Sequence, residues 1–300
     1  MKSCCHHRRS IIDIDHEPLM PSKGVARTMS ETGAPASQPS PNDPCVEGSL
    51  LPCGIVRVAP EAIASERLLA ALPHPSAHEP IKIAAFDFDG TCISTSSPKK
   101  LVNVLSRKRR ISLYKLLRIG FWGLAYKLNK PRDDEGVRTR VFSAFAGMSA
   151  KRVNEQLRGF YEERVDPFFR VDADACMLAH LEAGHAVILV SASFEPIIAS
   201  AMLEHPIQFA IASRMRIDAE GRYTAEVDGL PTEGPAKLTV LRAFADEQFG
   251  EGCWTIGWAY GDHFSDLKML EAAEHPCAVT PDRKLKRVAE ERGWKVLDWS

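Results

Sequence analysis

Residues 81–91 read Ile-Lys-Ile-Ala-Ala-Phe-Asp-Phe-Asp-Gly-Thr, an apolar run of strand length that stops at two carboxylates one residue apart. The Gly-Thr pair then turns the chain away from the strand. A strand buried in a parallel sheet is almost continuously apolar, and ligands collect beyond the carboxyl ends of such strands. Because side chains alternate along a strand, Asp87 and Asp89 are expected to start on one side, with Phe86 and Phe88 on the other. The stretch predicts the first strand of an α/β sheet with a polar site at its end.

The same two acids also have a plainer interpretation. Asp87 would cap the loop, and Asp89-Gly90 would be ordinary turn chemistry, because Asp-Gly is a common turn pair. The residues farther along the chain decide between a turn and a site.

The composition is that of a globular protein without a global electrostatic preference. A chain of 300 residues that is 45% hydrophobic can bury a full core. A formal net charge of -1 points to no nucleic-acid partner. The eight cysteines lack paired spacing, and no apolar signal segment follows the first residues. We therefore expect free thiols in a reducing, cytoplasmic location.

The chain divides into three parts by pattern. Residues 1–79 are predicted to be a disordered leader, because stretches such as residues 35–44, rich in Pro and Ser, cannot bury enough apolar surface to offset the entropy of ordering. Residues 80–95 and 172–300 are predicted to form an α/β core. Residues 96–171 between them are predicted to be a helical insertion, with one helix over residues 150–164.

The insertion is markedly basic around a helix predicted at residues 112–128. Three interpretations remain open. The charges form a solvated helical face, or they draw anionic substrates to the site. Beside Phe121, Trp122 and Tyr126, they also suit peripheral contact with an anionic membrane surface.

Two further strands end in polar residues. The apolar residues 186–190 run into Ser191, and residues 254–260 run into a Gly-Asp pair at Asp262, with Asp266 following. A helix predicted over residues 235–247 carries Lys237 in its first turn. Carboxylates suit Mg²⁺, while a hydroxyl, free backbone N–H groups and an ammonium suit a phosphate. The set favours phosphoryl transfer.

The order Asp-x-Asp-Gly-Thr, strand-Ser, Lys and strand-Gly-Asp-x-x-x-Asp resembles the haloacid dehalogenase superfamily of phosphohydrolases over residues 80–300. The helical insertion resembles the small helical cap of its class IB, phosphoserine-phosphatase-like branch. The resemblance implies a Rossmann-like parallel sheet core, made of residues 80–95 and 172–300, with an inserted cap at residues 96–171.

The resemblance also implies a role for each residue. Asp87 matches the nucleophile that becomes an aspartyl phosphate, and Asp89 matches the general acid and base. The implied phosphate-binding residues are Thr91, Ser191, Ala192 and Lys237. The implied Mg²⁺ ligands are Asp87, the Asp89 carbonyl and Asp262, with Asp266 in support.

We therefore expect a Mg²⁺-dependent phosphomonoesterase whose substrate is a small phosphorylated metabolite or a lipid phosphate. Residues 92–98 hold no acid where phosphoserine phosphatases bind the substrate amine, which argues against free phosphoserine. The basic, apolar cap favours the lipid. The alternatives are a phosphotransferase of the same fold and a non-catalytic, phosphate-binding or membrane-recruited regulatory module.

Overall fold

A computed structural model describes residues 80–107, 144–229 and 232–300 of the chain. The predicted leader and the predicted basic helix at residues 112–128 lie outside the described residues. Among the described helices, none is long and apolar enough to cross a membrane.

A seven-stranded sheet forms the centre of the described structure, in the order β4-β3-β2-β1-β5-β6-β7. Its neighbouring strands are parallel except for the antiparallel pair β3 and β4, which confirms the predicted α/β fold with a parallel sheet. The strands are β1 Ile81–Phe86, β2 Ala186–Phe194, β3 Phe209–Ile217, β4 Tyr223–Asp228, β5 Trp254–Gly261, β6 His275–Val279 and β7 Lys295–Leu297.

Helices connect most of the parallel strands. The described helices are α1 Ser97–Arg107, α2 Ala150–Arg164, α3 Val171–Glu182, α4 Glu195–Glu204, α5 Ala236–Phe249, α6 Leu267–Glu271 and α7 Arg283–Arg292, with 3-10 turns at Asp166–Phe168 and Phe264–Asp266. The helices predicted over residues 150–164 and 235–247 are both present, the second displaced by one or two residues at its ends.

Strand β1 is central because it is apolar on both faces. Ala84 and Phe86 belong to one buried cluster, whereas Ile83 and Ala85 belong to the cluster on the opposite face. β1 also pairs in parallel with β2 on one side and β5 on the other, so its backbone hydrogen-bonding groups are satisfied in both directions.

The described part of the insertion packs into the hydrophobic core. In α2, Val153, Leu157, Phe160 and Tyr161 recur at helical spacing and are buried in the same cluster as Phe86. Helix α2 thus presents its apolar face to the core rather than to solvent.

Strand β2 is longer than the sequence pattern indicated. The prediction ended it at residue 190, before Ser191, but the strand continues to Phe194. After an irregularity in the pairing, Phe194 pairs with Ser213 of β3, which keeps this polar stretch extended. The strand-end prediction was therefore wrong by four residues, because tertiary pairing rather than apolar content sets the end of this strand.

A buried histidine joins α3 to the sheet. His180 Nε2 lies 2.8 Å from the Tyr260 hydroxyl, and His180 Nδ1 lies 2.9 Å from Nδ1 of His185. The imidazole meets the Phe86 ring edge-on, with 6.0 Å between ring centroids. Burial and the neighbouring His185 lower the pKa of His180 to about 4.

We expect the free energy of unfolding to fall as the pH drops from about 6.5 to about 4. In that range the unfolded chain protonates His180 while the folded chain keeps it neutral, so acid favours the unfolded state by at most about 3 kcal/mol. Denaturant unfolding of wild type and His180→Gln at several pH values measures this difference. The variant should be less stable at neutral pH but should lose less stability on acidification.

The exposed His275 supplies the matched control, because His275→Gln should leave the pH dependence as in wild type. An equal loss of stability on acidification in wild type and His180→Gln would contradict this account.

Candidate active site

The three strands that end in polar residues are neighbours in the sheet. β2, β1 and β5 lie side by side and run parallel, so their carboxyl ends reach the same edge. Asp87 follows β1, Asp262 follows β5, and Ser191 lies near the end of β2. The topology therefore brings residues from distant parts of the sequence to one edge, where ligands bind in open α/β sheets.

The Asp87 carboxylate is buried and held from two sides. Thr91 Oγ1 donates a hydrogen bond to Asp87 Oδ2 at 3.2 Å and lies 3.5 Å from Oδ1 of Asp262. The ammonium of Lys237 contacts the other oxygen, Oδ1, of Asp87. Both carboxylate oxygens of Asp87 thus have fixed partners.

Lys237 reaches the site from the first turn of α5. Its side chain is buried, and Nζ also lies 2.7 Å from Oδ1 of Asp266. Burial alone would disfavour the ammonium, but the carboxylates of Asp266 and Asp87 outweigh it and raise the pKa of Lys237 above its ordinary value. Lys237 therefore stays positively charged inside the protein.

Three carboxylates converge beside this lysine. Oxygens of Asp87, Asp262 and Asp266 all lie within 4.8 Å of one another. Burial and the charges of Asp87 and Asp266 raise the pKa of Asp262. Burial also raises the pKa of Asp266, against the opposing effect of Lys237. Hard oxygen donors with excess negative charge are the environment that a divalent cation stabilises, so this cluster fits a metal such as Mg²⁺.

Gly90 permits the close approach of the β1 loop to Asp262. Its φ is +95°, a left-handed conformation that favours glycine, and a Cβ at this position would lie 2.1 Å from Asp262 Oδ2. Any side chain at residue 90 would displace the Asp262 carboxylate.

The Asp89 carboxylate lies apart from the cluster. Its Oδ1 accepts a hydrogen bond from the Ser97 backbone N–H, and its Oδ2 accepts from the Ser193 hydroxyl and lies 3.3 Å from the Ser97 hydroxyl oxygen. Burial raises the pKa of Asp89, although the hydrogen bonds from Ser193 and Ser97 oppose the shift. The strand-alternation argument for Asp87 and Asp89 does not extend into the loop, because β1 ends at Phe86 and the two carboxylates take different partners.

Two predicted phosphate-binding residues, Ser191 and Ala192, lie on β2 and take part in local hydrogen bonds. Ser191 is buried, and its hydroxyl accepts a hydrogen bond from the Ser193 N–H at 3.0 Å. The Ala192 carbonyl accepts from the Ser213 hydroxyl at 2.9 Å. These contacts fix the conformation of the polar end of β2.

Asp266 is oriented by a capped turn that the sequence did not reveal. The His263 imidazole accepts from the Ser265 N–H, while the Asp266 side chain accepts from the His263 N–H at 3.3 Å. His263 Nε2 also lies 3.2 Å from Oδ2 of Asp282. His263 thus helps to aim Asp266 at Lys237.

Sequence reasoning assigned no role to Ser97 or Ser193. Two signals were present: Ser193 shares a strand face with Ser191, two residues away, and Ser97 precedes a proline at the start of a helix. Neither signal predicts Asp89 as the partner, because these contacts depend on how the chain folds in three dimensions.

Comparison with known proteins agrees with this geometry. The family model for haloacid dehalogenase-like hydrolases matches residues 84–271. A probable phosphatase of Mycobacterium tuberculosis is 30% identical over 221 residues, which cover 72% of this chain and 75% of the relative. A histidinol-phosphatase of Neisseria meningitidis is 26% identical over 219 residues, which cover 72% of this chain and 98% of the relative.

Two solved structures share the fold. A Bordetella pertussis protein of unknown function aligns with a TM-score of 0.64 at 25% identity, over 73% of this chain and 99% of the other. A substrate-bound phosphoserine phosphatase aligns with a TM-score of 0.52 at 18% identity, over 73% of this chain and 94% of the other. The family match covers more than half of the residues, including the end of β1 and the carboxylate cluster. The chain therefore belongs to the haloacid dehalogenase-like hydrolase family, and it is a phosphatase of that family.

Proposed function

We propose that this enzyme is a Mg²⁺-dependent phosphomonoesterase that forms an aspartyl phosphate on Asp87. The observation that supports this most is the cluster of the buried Asp87 and Asp266 and the half-buried Asp262, together with Lys237, at one edge of the sheet. Buried charge of this kind is costly for folding and is typical of catalytic sites.

Asp87 suits the role of nucleophile. Thr91 and Lys237 hold its carboxylate, so attack on phosphorus requires little reorganisation. A carboxylate oxygen of Asp87 forms a bond to phosphorus while the bond from phosphorus to the alcohol oxygen breaks. Lys237 and the hydroxyl of Ser191 are proposed to bind the phosphate oxygens, with the Ala192 N–H in support.

Asp89 suits the role of general acid and then general base. Burial raises its pKa, so a protonated form is available to give its proton to the leaving alcohol oxygen. The ionised Asp89 then takes a proton from water as the water attacks phosphorus. The aspartyl phosphate breaks, inorganic phosphate leaves, and Asp87 and protonated Asp89 are restored.

The residues that would hold Mg²⁺ are Asp87, Asp262 and the main-chain carbonyl of Asp89. Bound there, the cation supplies charge that orients the phosphate and stabilises the negative charge of its oxygens. Asp266 is proposed to support the site through Lys237, which it contacts at 2.7 Å.

The proposed substrate is a small phosphorylated metabolite in the cytoplasm. Support comes from the relative named histidinol-phosphatase, whose sequence is matched over 98% of its length. Most of the basic and aromatic residues that favoured a lipid phosphate and membrane contact lie within residues 108–132, outside the described residues. The substrate test below therefore includes both classes.

Asp87→Asn should reduce phosphate release by at least about a thousandfold, because an amide cannot replace the carboxylate nucleophile. Steady-state assays with p-nitrophenyl phosphate and Mg²⁺ measure the loss. The exposed Asp298 gives a matched Asp→Asn control that should keep wild-type activity. Activity of Asp87→Asn within tenfold of wild type would rule out Asp87 as nucleophile.

Asp262→Asn should raise the thermal midpoint of the metal-free protein near neutral pH. The raised pKa of Asp262 means that the folded state binds a proton that the unfolded chain has released, so stability falls as pH rises above about 4. Replacing this carboxylate with an amide removes that loss of stability. Thermal unfolding in EDTA measures the effect, with Asp298→Asn as control.

Mg²⁺ should raise the thermal midpoint of wild type much more than that of Asp262→Asn, because the variant lacks a ligand. Titration of each protein with MgCl₂ during thermal unfolding measures the shift. Equal shifts in the two proteins would contradict the proposed metal site, whatever the activity.

Soluble phosphomonoesters of small alcohols should be hydrolysed with kcat/KM at least about tenfold above that for micellar lipid phosphates. The panel would contain histidinol phosphate, phosphoserine, lysophosphatidate and phosphatidylglycerophosphate. A lipid phosphate as best substrate would overturn the metabolite proposal and favour the basic insertion as a lipid-binding surface.

A further inference from the structure

We propose that Ser97 and Ser193 are positioning residues for Asp89, holding its carboxylate between β2 and the first helix of the insertion. The inference rests on the general-acid role proposed for Asp89. It assigns a function to two serines that lie outside the cluster of Asp87, Asp262 and Asp266.

The contacts form a closed set around one carboxylate. Asp89 Oδ1 accepts from the Ser97 N–H, and Oδ2 accepts from the Ser193 hydroxyl and lies 3.3 Å from the Ser97 hydroxyl oxygen. The two hydroxyl oxygens lie 2.6 Å apart. Because each hydroxyl has one proton, Ser97 donates to Ser193 while Ser193 donates to Asp89. Both oxygens of Asp89 are therefore fixed by groups from two other elements.

Both serines are buried, which protects these hydrogen bonds from water. Ser97 is 0% exposed and Ser193 is 1% exposed, so water does not compete for their hydroxyls. The Ser193 backbone is itself fixed, because its N–H donates to the Ser191 hydroxyl at 3.0 Å. The loss of either hydroxyl would leave Asp89 with fewer partners and more freedom to rotate.

The Ser97 contact connects Asp89 to the insertion. Ser97 is the first residue of α1, where backbone N–H groups lack partners within the helix and favour a carboxylate. Leu101 and Leu105 bury the next turns of α1 in the main core cluster. The position of this helix therefore determines where Asp89 is held.

A general acid is effective only when its proton is aimed at the leaving oxygen. Asp89 lies in the loop after β1, where an isolated bridge to Ile93 holds its backbone and the contacts with Ser97 and Ser193 hold its carboxylate. We infer that the two serines set its direction and that Ser193 is the stronger of the two. Ser97→Ala keeps the backbone N–H contact, whereas Ser193→Ala removes the whole contribution of that residue.

Leaving-group dependence distinguishes positioning from a merely structural role. β-Glycerol phosphate has a basic alcohol that needs a proton when it leaves, whereas p-nitrophenolate leaves readily without one. Ser193→Ala should lower kcat/KM for β-glycerol phosphate by about tenfold to a hundredfold and for p-nitrophenyl phosphate by less than about threefold. We compare kcat/KM because it reports the steps up to departure of the alcohol, whereas kcat also includes the hydrolysis of the aspartyl phosphate, which both substrates share. Ser97→Ala should show the same selectivity with a smaller loss.

The matched control is Ser200→Ala in α4. Ser200 is also buried, but its hydroxyl donates to the Pro196 carbonyl at 2.8 Å, away from Asp89. This variant should keep wild-type kcat on both substrates. Thermal unfolding of the three variants identifies any loss that comes from stability alone. Equal losses of kcat/KM on the two substrates for Ser193→Ala, or no loss on either, would overturn the inference.

A crystal structure of the double variant Ser97→Ala/Ser193→Ala tests the positioning without activity. We expect the Asp89 carboxylate to leave the place that it occupies in wild type. An Asp89 side chain that stays in its wild-type place would overturn the inference, whatever the kinetic assays show. If wild type released no phosphate while Asp89 moved in the double variant, the proposed function would fail and the positioning itself would stand.

Discussion

The contact of one buried ammonium with two buried carboxylates is the constraint on which the site depends. Lys237 meets Asp87 and Asp266, which belong to segments separated by 150 and 29 residues from it. With the half-buried Asp262 beside them, the carboxylates outnumber this ammonium. Such an arrangement persists only if the rest of the fold stabilises it.

The sheet provides that stability. Strand β1 packs apolar side chains on both of its faces and pairs with a strand on each side, so the loop that carries Asp87 begins from one of the most buried parts of the protein. Gly90 then lets the loop approach Asp262 at a distance that no Cβ would permit. The packing of the sheet thus offsets the free-energy cost of holding several carboxylates close together at its edge.

The sequence predicted the parts of this structure that depend on local patterns. The apolar run before Asp87, the apolar runs of β2 and β5 and the helix at residues 150–164 all appear in the structure. The order of the polar residues also indicated which strand ends would meet, because parallel neighbours share an edge.

The parts that the sequence did not predict depend on tertiary contacts. Strand β2 continues past Ser191 because it pairs with β3, and nothing in its own residues indicates that partner. The Asp89 carboxylate takes Ser97 and Ser193 rather than the cluster, a choice made by the loop conformation and not by strand alternation. His263 caps a turn through its side chain, a role more common for Ser, Asp and Asn.

Direct detection of a phosphoryl group on Asp87 tests the central claim. Wild type would be mixed with p-nitrophenyl phosphate and Mg²⁺, quenched in acid within the first turnover, digested and analysed by mass spectrometry. The account predicts a phosphorylated peptide that carries Asp87, labile to hydroxylamine and missing in Asp87→Asn. Turnover by wild type without a phosphorylated Asp87 peptide, or with the phosphoryl group on another residue, would contradict it.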